Sequence, residues 1–330
     1  MLEIYKTLNG STVPVLQDTI TSGCWVRMVQ PTEDEISQVC TILSISRDDI
    51  IALMDEDEKP RVEHDGDRTL VIIDTSYLEE GLATPLQSTS VADIASYRTL
   101  PSGFIFAQNA IVTVSLRKNP IFQNFVEGKV KNFSTEDKTK LLLQFLYLNA
   151  KLFVQHLQKI DDLTGAVEQS LYKATENEEL FKMLRISKSL VYITTALKAN
   201  ETVLEKLSRS PMPEVCMIDG CEDFLEDALI ENRQAIAMAD TYSRTLGTIM
   251  DTYASIINNN VNSILKLFTA ITILLALPTL LASYFGMNVC IPWQLDAPDG
   301  SDCTPFFMLV GGSLSMSVGL LWLLYYKKIL

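Results

Sequence analysis

The sequence predicts a mixed α/β soluble domain that leads, through long helices, into two C-terminal membrane-spanning helices. Three observations predict it. Up to Leu116, short apolar runs and alternating stretches are separated by turn residues, as in the strands of a packed sheet. From Ser134 onward the apolar period becomes that of a helix. Near the C-terminal end, Leu267–Phe285 and Phe306–Tyr326 are each long enough to cross a hydrocarbon core of about 30 Å.

Composition narrows the function classes. At 330 residues the chain has room for a large soluble domain and a membrane part. The net charge of -14 argues against nucleic acid, because binding phosphates takes an excess of Lys and Arg. It suits a cation partner as well as it suits plain solubility. Met1–Ile20 lacks a basic start followed by an apolar core, so no cleavable signal peptide is expected and the soluble part should face the cytosol. The six cysteines are scattered and suggest no disulfide framework in the soluble part. Cys216 and Cys221 flank an apparent loop, but the two histidines, His64 and His156, supply no obvious zinc partners there. Phosphate-binding glycine loops and nucleophile elbows are missing, so no enzyme is expected.

In chain order, Glu3–Leu8 reads as a strand meeting a turn at Asn9-Gly10, and Trp25–Val29 as a second strand. Thr32 and Glu35 form a capping box that opens a helix through Cys40 towards Leu43. Ser46 and Asp49 start a short helix that ends at the acidic run Asp55–Glu58. Thr69–Tyr77 reads as a strand buried on both faces, and Gly103–Ala107 with Ala110–Leu116 as a hairpin joined at Gln108-Asn109. Ser134 and Asp137 cap a long helix reaching about Ala174; a second runs from Glu178 to Ser208, where Pro211 and Pro213 stop it. A third begins near Glu222 and meets no proline until Pro278, roughly 80 Å on at the helical rise. That length fits a stalk.

Charges orient the two spans. Lys266 precedes the first and Lys327-Lys328 follow the second, which puts both termini in the cytoplasm. The connector Val289–Thr304 holds Asp296, Asp299 and Asp302 with no Lys or Arg, and should lie outside. Tyr284, Trp322, Tyr325 and Tyr326 fall near the interfaces, where amphipathic rings settle.

The first span ends in Tyr284-Phe285-Gly286-Met287-Asn288. Here the chain resembles the CorA family of magnesium channels, whose hallmark is Gly-Met-Asn directly after the first of two C-terminal helices. The run Pro278–Ser283, the lower stalk from Asp251 to Lys266 and the order of elements also match the family. The resemblance implies a funnel-shaped homopentamer. It divides the chain into an α/β domain (1–130), a helical hairpin (131–221), a stalk (222–263), the first span with its motif (264–288), an external loop (289–304), and the second span with a basic tail (305–330).

Mg2+ gives up its waters reluctantly, so a ring of amide and carbonyl oxygens can select the hydrated ion. Asn288 would form that ring, Gly286 would bring its carbonyl near the axis, and Met287 would pack on a neighbouring helix. A plain helix C-cap is the other reading of Gly-Met-Asn, and the two can coexist. By resemblance the first span lines the pore. Counting helical steps back from Asn288 places Ser283, Thr279, Ala276, Thr272, Phe268 and Leu265 near one face. Phe268 and Leu265 would form a dewetting constriction, or simply pack between helices. By the same resemblance Asp251 matches an acidic ring at the cytoplasmic end of the pore, while Asn258 and Asn262 continue a polar pore-facing stripe or are simply an exposed stalk face. Asp227 is a candidate for a regulatory Mg2+ site between subunits, with Asp74, Glu79 or Glu80 as its partner, although a charged helix surface explains it equally. The loop departs from the family, since Val289-Cys290-Ile291-Pro292 follow the motif without an acidic residue. Asp296, Asp299 and Asp302 would concentrate cations instead, and Cys290 and Cys303 either pair as a disulfide or stay free. The resemblance thus implies transported and regulatory Mg2+, a lipid surround and no nucleic acid. Carriers of zinc, cobalt or nickel, and a non-conducting membrane scaffold, stand as alternatives.

Overall fold

A computed structural model describes residues 1–7, 14–65, 68–79, 96–108, 110–171, 178–209, 221–286 and 304–326. The chain divides into two compact units, Met1–Ile249 and Met250–Leu330.

The first unit is built on a seven-stranded sheet: β1 Leu2–Thr7, β2 Pro14–Gln17, β3 Cys24–Val29, β4 Arg61–Asp65, β5 Arg68–Glu79, β6 Ser96–Phe106 and β7 Ala110–Ser115. Their order across the sheet is β2-β1-β3-β7-β6-β5-β4, antiparallel throughout except where β3 runs parallel to β7. The expected α/β class is therefore observed. Strands β2 and β4 and helix α3 (Pro120–Val126) went unread in the sequence.

Helices α1 (Glu33–Leu43) and α2 (Arg47–Ala52) cover one face of the sheet. The capping box forms as read, with Thr32 Oγ1 accepting from Glu35 N–H and Glu35 accepting from Thr32 N–H. Even-numbered sheet positions such as Val26, Met28, Leu70, Ile72, Val112 and Val114 pack under these helices. Gly103 faces Leu53 so closely that an added Cβ would overlap Leu53 Cγ, Cδ1 and Cδ2. Gly103→Ala should therefore cost about 1–3 kcal/mol by overpacking. The double variant Gly103→Ala/Leu53→Ala should cost less than the sum of the singles. Additive losses in chemical denaturation would contradict that contact.

The other face carries α3, α4 (Lys138–Leu171), α5 (Glu178–Arg209) and the first part of α6 (Cys221–Phe285). Trp25 sits at its centre, fully buried, with Tyr5, Phe122, Phe125 and Phe133 at centroid distances of 5.4, 5.7, 6.2 and 6.1 Å. Helix α4 starts at Lys138, and Asp137 Oδ1 accepts from Lys140 N–H. Ser134, read as a second cap, accepts from Glu136 N–H and meets Thr7 Oγ1 at 3.3 Å instead.

One irregularity ties α4 and α5 to the sheet. Pro101 of β6 stands opposite Asp74 of β5, and β4 stops pairing at Ile72. Asp74 N–H and C=O both point to the β4 side, where β4 has already ended, so Asp74 and Pro101 face each other without a hydrogen bond between them. The Asp74 carbonyl accepts instead from Asn149 Nδ2 at 2.8 Å and Asn200 Nδ2 at 2.9 Å, while Asp74 N–H donates to Asn200 Oδ1 at 2.9 Å. Two helices thus complete a strand that its neighbours leave open.

Candidate functional site

In the second unit α6 continues to Phe285 and α7 spans Thr304–Tyr326. Both are long and apolar enough to cross a membrane. Pro278 lies inside α6 and does not end it. From Lys266 onward Ala270 (5% exposed), Leu274, Leu277, Pro278 and Leu281 are the covered positions of α6, on one side of the helix. Helix α7 shows the matching pattern at Val310, Ser313, Ser317, Leu320 and Leu324. Small residues at such positions let helices approach closely in a bilayer.

The expected pore positions occupy the other side. At 3.6 residues per turn, Thr272, Ala276, Thr279 and Ser283 lie roughly opposite the covered row, and all are exposed. Leu265 and Phe268 extend the same stripe, Phe268 being 61% exposed. Asp251, Asn258 and Asn262 are exposed too, with Asn262 and Leu265 also opening onto a groove shared with Leu324. Thr272 Oγ1 donates to Phe268 O and Thr279 Oγ1 to Leu275 O, each at 2.8 Å. With their protons spent on the backbone, these hydroxyls turn acceptor lone pairs outward. Gly286 closes the helix, its N–H donating to Ala282 O at 3.0 Å and Ser283 O at 3.2 Å.

Comparison with known proteins identifies the family. A family profile described as "CorA-like Mg2+ transporter protein" matches residues 21–328. The chain belongs to the CorA family. The cobalt/magnesium transport protein CorA of Methanocaldococcus jannaschii is 28% identical over 273 residues, covering 80% of this chain and 79% of that one. The complete structure of the M. jannaschii CorA magnesium transporter superposes with a TM-score of 0.80 at 24% identity, covering 98% of this chain and 97% of that one. Full-length CmaX shares the fold at a TM-score of 0.67 and 14% identity, over 99% and 96% of the two chains. As a CorA-family protein with two helices fit to span a bilayer, this is a membrane protein.

The candidate regulatory carboxylates of the CorA head belong to different elements, Asp227 to α6 and Asp74 and Glu79 to β5. Among the described residues no three Asp, Glu, His or Cys side chains gather as a metal site. Asp227 is exposed on α6, in the surroundings of Lys151. The Lys151 ammonium lies 4.3 Å from the Tyr147 ring centroid, and its pKa is raised first by Tyr147 and then by Glu231 and Asp227. Glu79 faces Arg98 at 3.8 Å. Asp74 is half-buried, and burial raises its carboxyl to about 7. Glu80, Met287, Asn288, Cys290, Asp296, Asp299, Asp302 and Cys303 lie outside the described residues. Sequence reasoning missed Asn149 and Asn200, which hold the Asp74 backbone; a helix-borne Asn leaves no periodic signal that it will reach a strand.

Asp74 and His156 predict an unusual stability profile. Unfolded, Asp74 titrates near 3.8 and folded about 7, so its contribution is full below pH 4 and is lost as pH rises to about 7. His156 bonds Ser76 Oγ through Nδ1 at 2.8 Å, and burial lowers its pKa from 6.5 to about 4. Its contribution is full above 6.5 and is lost as pH falls through 4. The two slopes oppose each other over the same window. Asp74→Asn should remove one of them, stabilising the protein at pH 7.5 by about 1–3 kcal/mol after allowance for solvent. Melting temperature should then climb from pH 4 to 6.5 more steeply than in the wild type. Parallel profiles for the two proteins would refute it.

Proposed function

We propose that this chain is a Mg2+ channel, five copies of which surround an axial pathway lined by α6 with α7 outside. The observation that carries the reading is the exposed stripe Thr272, Ala276, Thr279 and Ser283 on the side of α6 away from its covered row. A hydrated Mg2+ presents only water O–H donors to its surroundings, because the ion keeps its inner shell. Hydroxyls already committed as donors to their own helix offer such an ion acceptors. Family membership supports the same reading, and the M. jannaschii relative bears the name of a cobalt/magnesium transporter. Co2+ is therefore the second candidate ion.

In this reading Gly286, Met287 and Asn288 form the outer filter, and Phe268 and Leu265 the constriction. Asp296, Asp299 and Asp302 draw cations to the outer mouth, beside Cys290 and Cys303. Cytoplasmic Mg2+ closes the channel by bridging acidic faces of neighbouring heads, with Asp227 on one side and Asp74, Glu79 or Glu80 on the other. Ligands of this kind act by binding one state more tightly than the other.

The test is flux. Purified protein in liposomes loaded with a Mg2+ dye should take up Mg2+ when the internal concentration is low, and Asn288→Ala should abolish uptake. Uptake of Co2+ alone would favour the second ion; neither ion moving through a folded oligomer would leave the scaffold reading. Removing Asp227 should weaken inhibition by internal Mg2+, and unchanged inhibition would sink that assignment.

A further inference from the structure

A groove between α6 and α7 carries a cation, Lys266, that an axial ion pathway does not use. It has a volume of about 470 Å3; Asn259, Asn262, Ser263 and Lys266 line its polar end, and Ala270 and Leu324 its apolar end. Asn259, Ser263, Lys266 and Ala270 lie on the α7 side of α6, away from Thr279 and Ser283. Lys266 is the sole Lys or Arg between Arg244 and Lys327. The next carboxylate before it on α6 is Asp251, about 22 Å away at 1.5 Å per residue, so the helix itself does not neutralise it. Ser263 Oγ donates to Asn259 O at 2.9 Å, which leaves the Asn259 and Asn262 amides as the donors beside the ammonium.

The position of the groove says what it meets. Asn258–Ser263 is polar and Leu267 begins the apolar span, so Lys266 stands at headgroup depth if α6 crosses the membrane. A fixed cation, two amide donors and an apolar wall descending into the bilayer match a phosphate diester joined to an acyl chain. We infer that this groove holds the headgroup of an anionic phospholipid from the leaflet on the Lys266 side. Lys266 supplies its counter-charge, Asn259 and Asn262 bond its phosphate oxygens, and an acyl chain lies against Ala270 and Leu324. Net negative charge decides the lipid class, because a choline headgroup brings its own cation to compete with Lys266. Each bound headgroup also cancels one positive charge close to the level of Phe268, where it would otherwise repel an entering divalent ion. The inference rests on the membrane-spanning reading and is independent of transport.

Native mass spectrometry of the full-length oligomer tests it, after exposure to equal amounts of phosphatidylglycerol and phosphatidylcholine. The wild type should retain phosphatidylglycerol in preference. Lys266→Gln should retain it about fivefold less per site, with the oligomer intact. The tail variant Lys327→Gln/Lys328→Gln should behave as the wild type. Equal retention of the two lipids, undiminished retention by Lys266→Gln, or a loss confined to the tail variant would overturn the inference. Displacement of the lipid by inorganic phosphate would overturn the lipid assignment in favour of a soluble phosphate. Failed ion flux with lipid preference intact would count against the channel reading alone.

Discussion

Protein carrying Thr279→Arg is expected to pass no measurable Mg2+ in liposomes while remaining a folded oligomer. Thr279 is exposed on α6, on the side away from Leu274, Leu277 and Leu281. In a symmetric assembly its equivalents would surround the axis, and each guanidinium would confront a divalent ion in a low-dielectric tube. The repulsion exceeds what thermal energy can cross. Thr279→Val separates charge from chemistry, since it keeps the shape and removes the oxygen whose proton is given to Leu275 O. Losing one acceptor per subunit should slow flux about tenfold, equivalent to about 1.4 kcal/mol at the barrier. Val318→Ala, on an exposed part of α7, serves as control and should leave the rate within about twofold. Near-normal conduction by the Arg variant would show that this face of α6 does not line the pathway.

Trp25→Ala should destabilise the head by about 3–5 kcal/mol, the range for removing a large buried aromatic side chain. Four rings surround Trp25, and its Nε1–H donates to Thr113 Oγ1 at 2.8 Å. Truncation would leave a cavity at the junction of β1, β3, α3 and the segment carrying Phe133, and would strand the Thr113 hydroxyl among apolar groups. Trp25→Phe should recover part of the loss, because it refills volume without restoring the hydrogen bond. The measurement is the denaturant midpoint of the full-length protein. A loss below about 1 kcal/mol for Trp25→Ala would mean that the core closes over the gap.

Where the sequence spoke clearly, it did so through strong periodicity or explicit capping chemistry. Thr32 and Glu35 announce α1, and Leu141, Phe145 and Phe153 announce α4, because burying a helix face leaves a regular mark. Strand β4, Arg-Val-Glu-His-Asp at the sheet edge, offers a single buried apolar side chain and so no alternation to read. Helix α3 did carry a signal, the Asn119 cap followed by Pro120, but seven residues are too few for a period. In the membrane unit, counting helical steps from Asn288 selected Thr272, Thr279 and Ser283, which the structure leaves exposed as a row. The opposing covered row was not foreseen, since every position there is apolar and composition alone does not distinguish a neighbouring helix from lipid.

Asn149 and Asn200 lie on two separate helices, yet they serve one backbone residue, Asp74. This constrains how the family can drift. A lineage that loses either asparagine first must tolerate an unsatisfied strand carbonyl or amide. Substitutions at positions 149 and 200 should therefore be rare and tend to occur together. Across descendants the two sites should be inherited as a pair, however far the surrounding helices diverge.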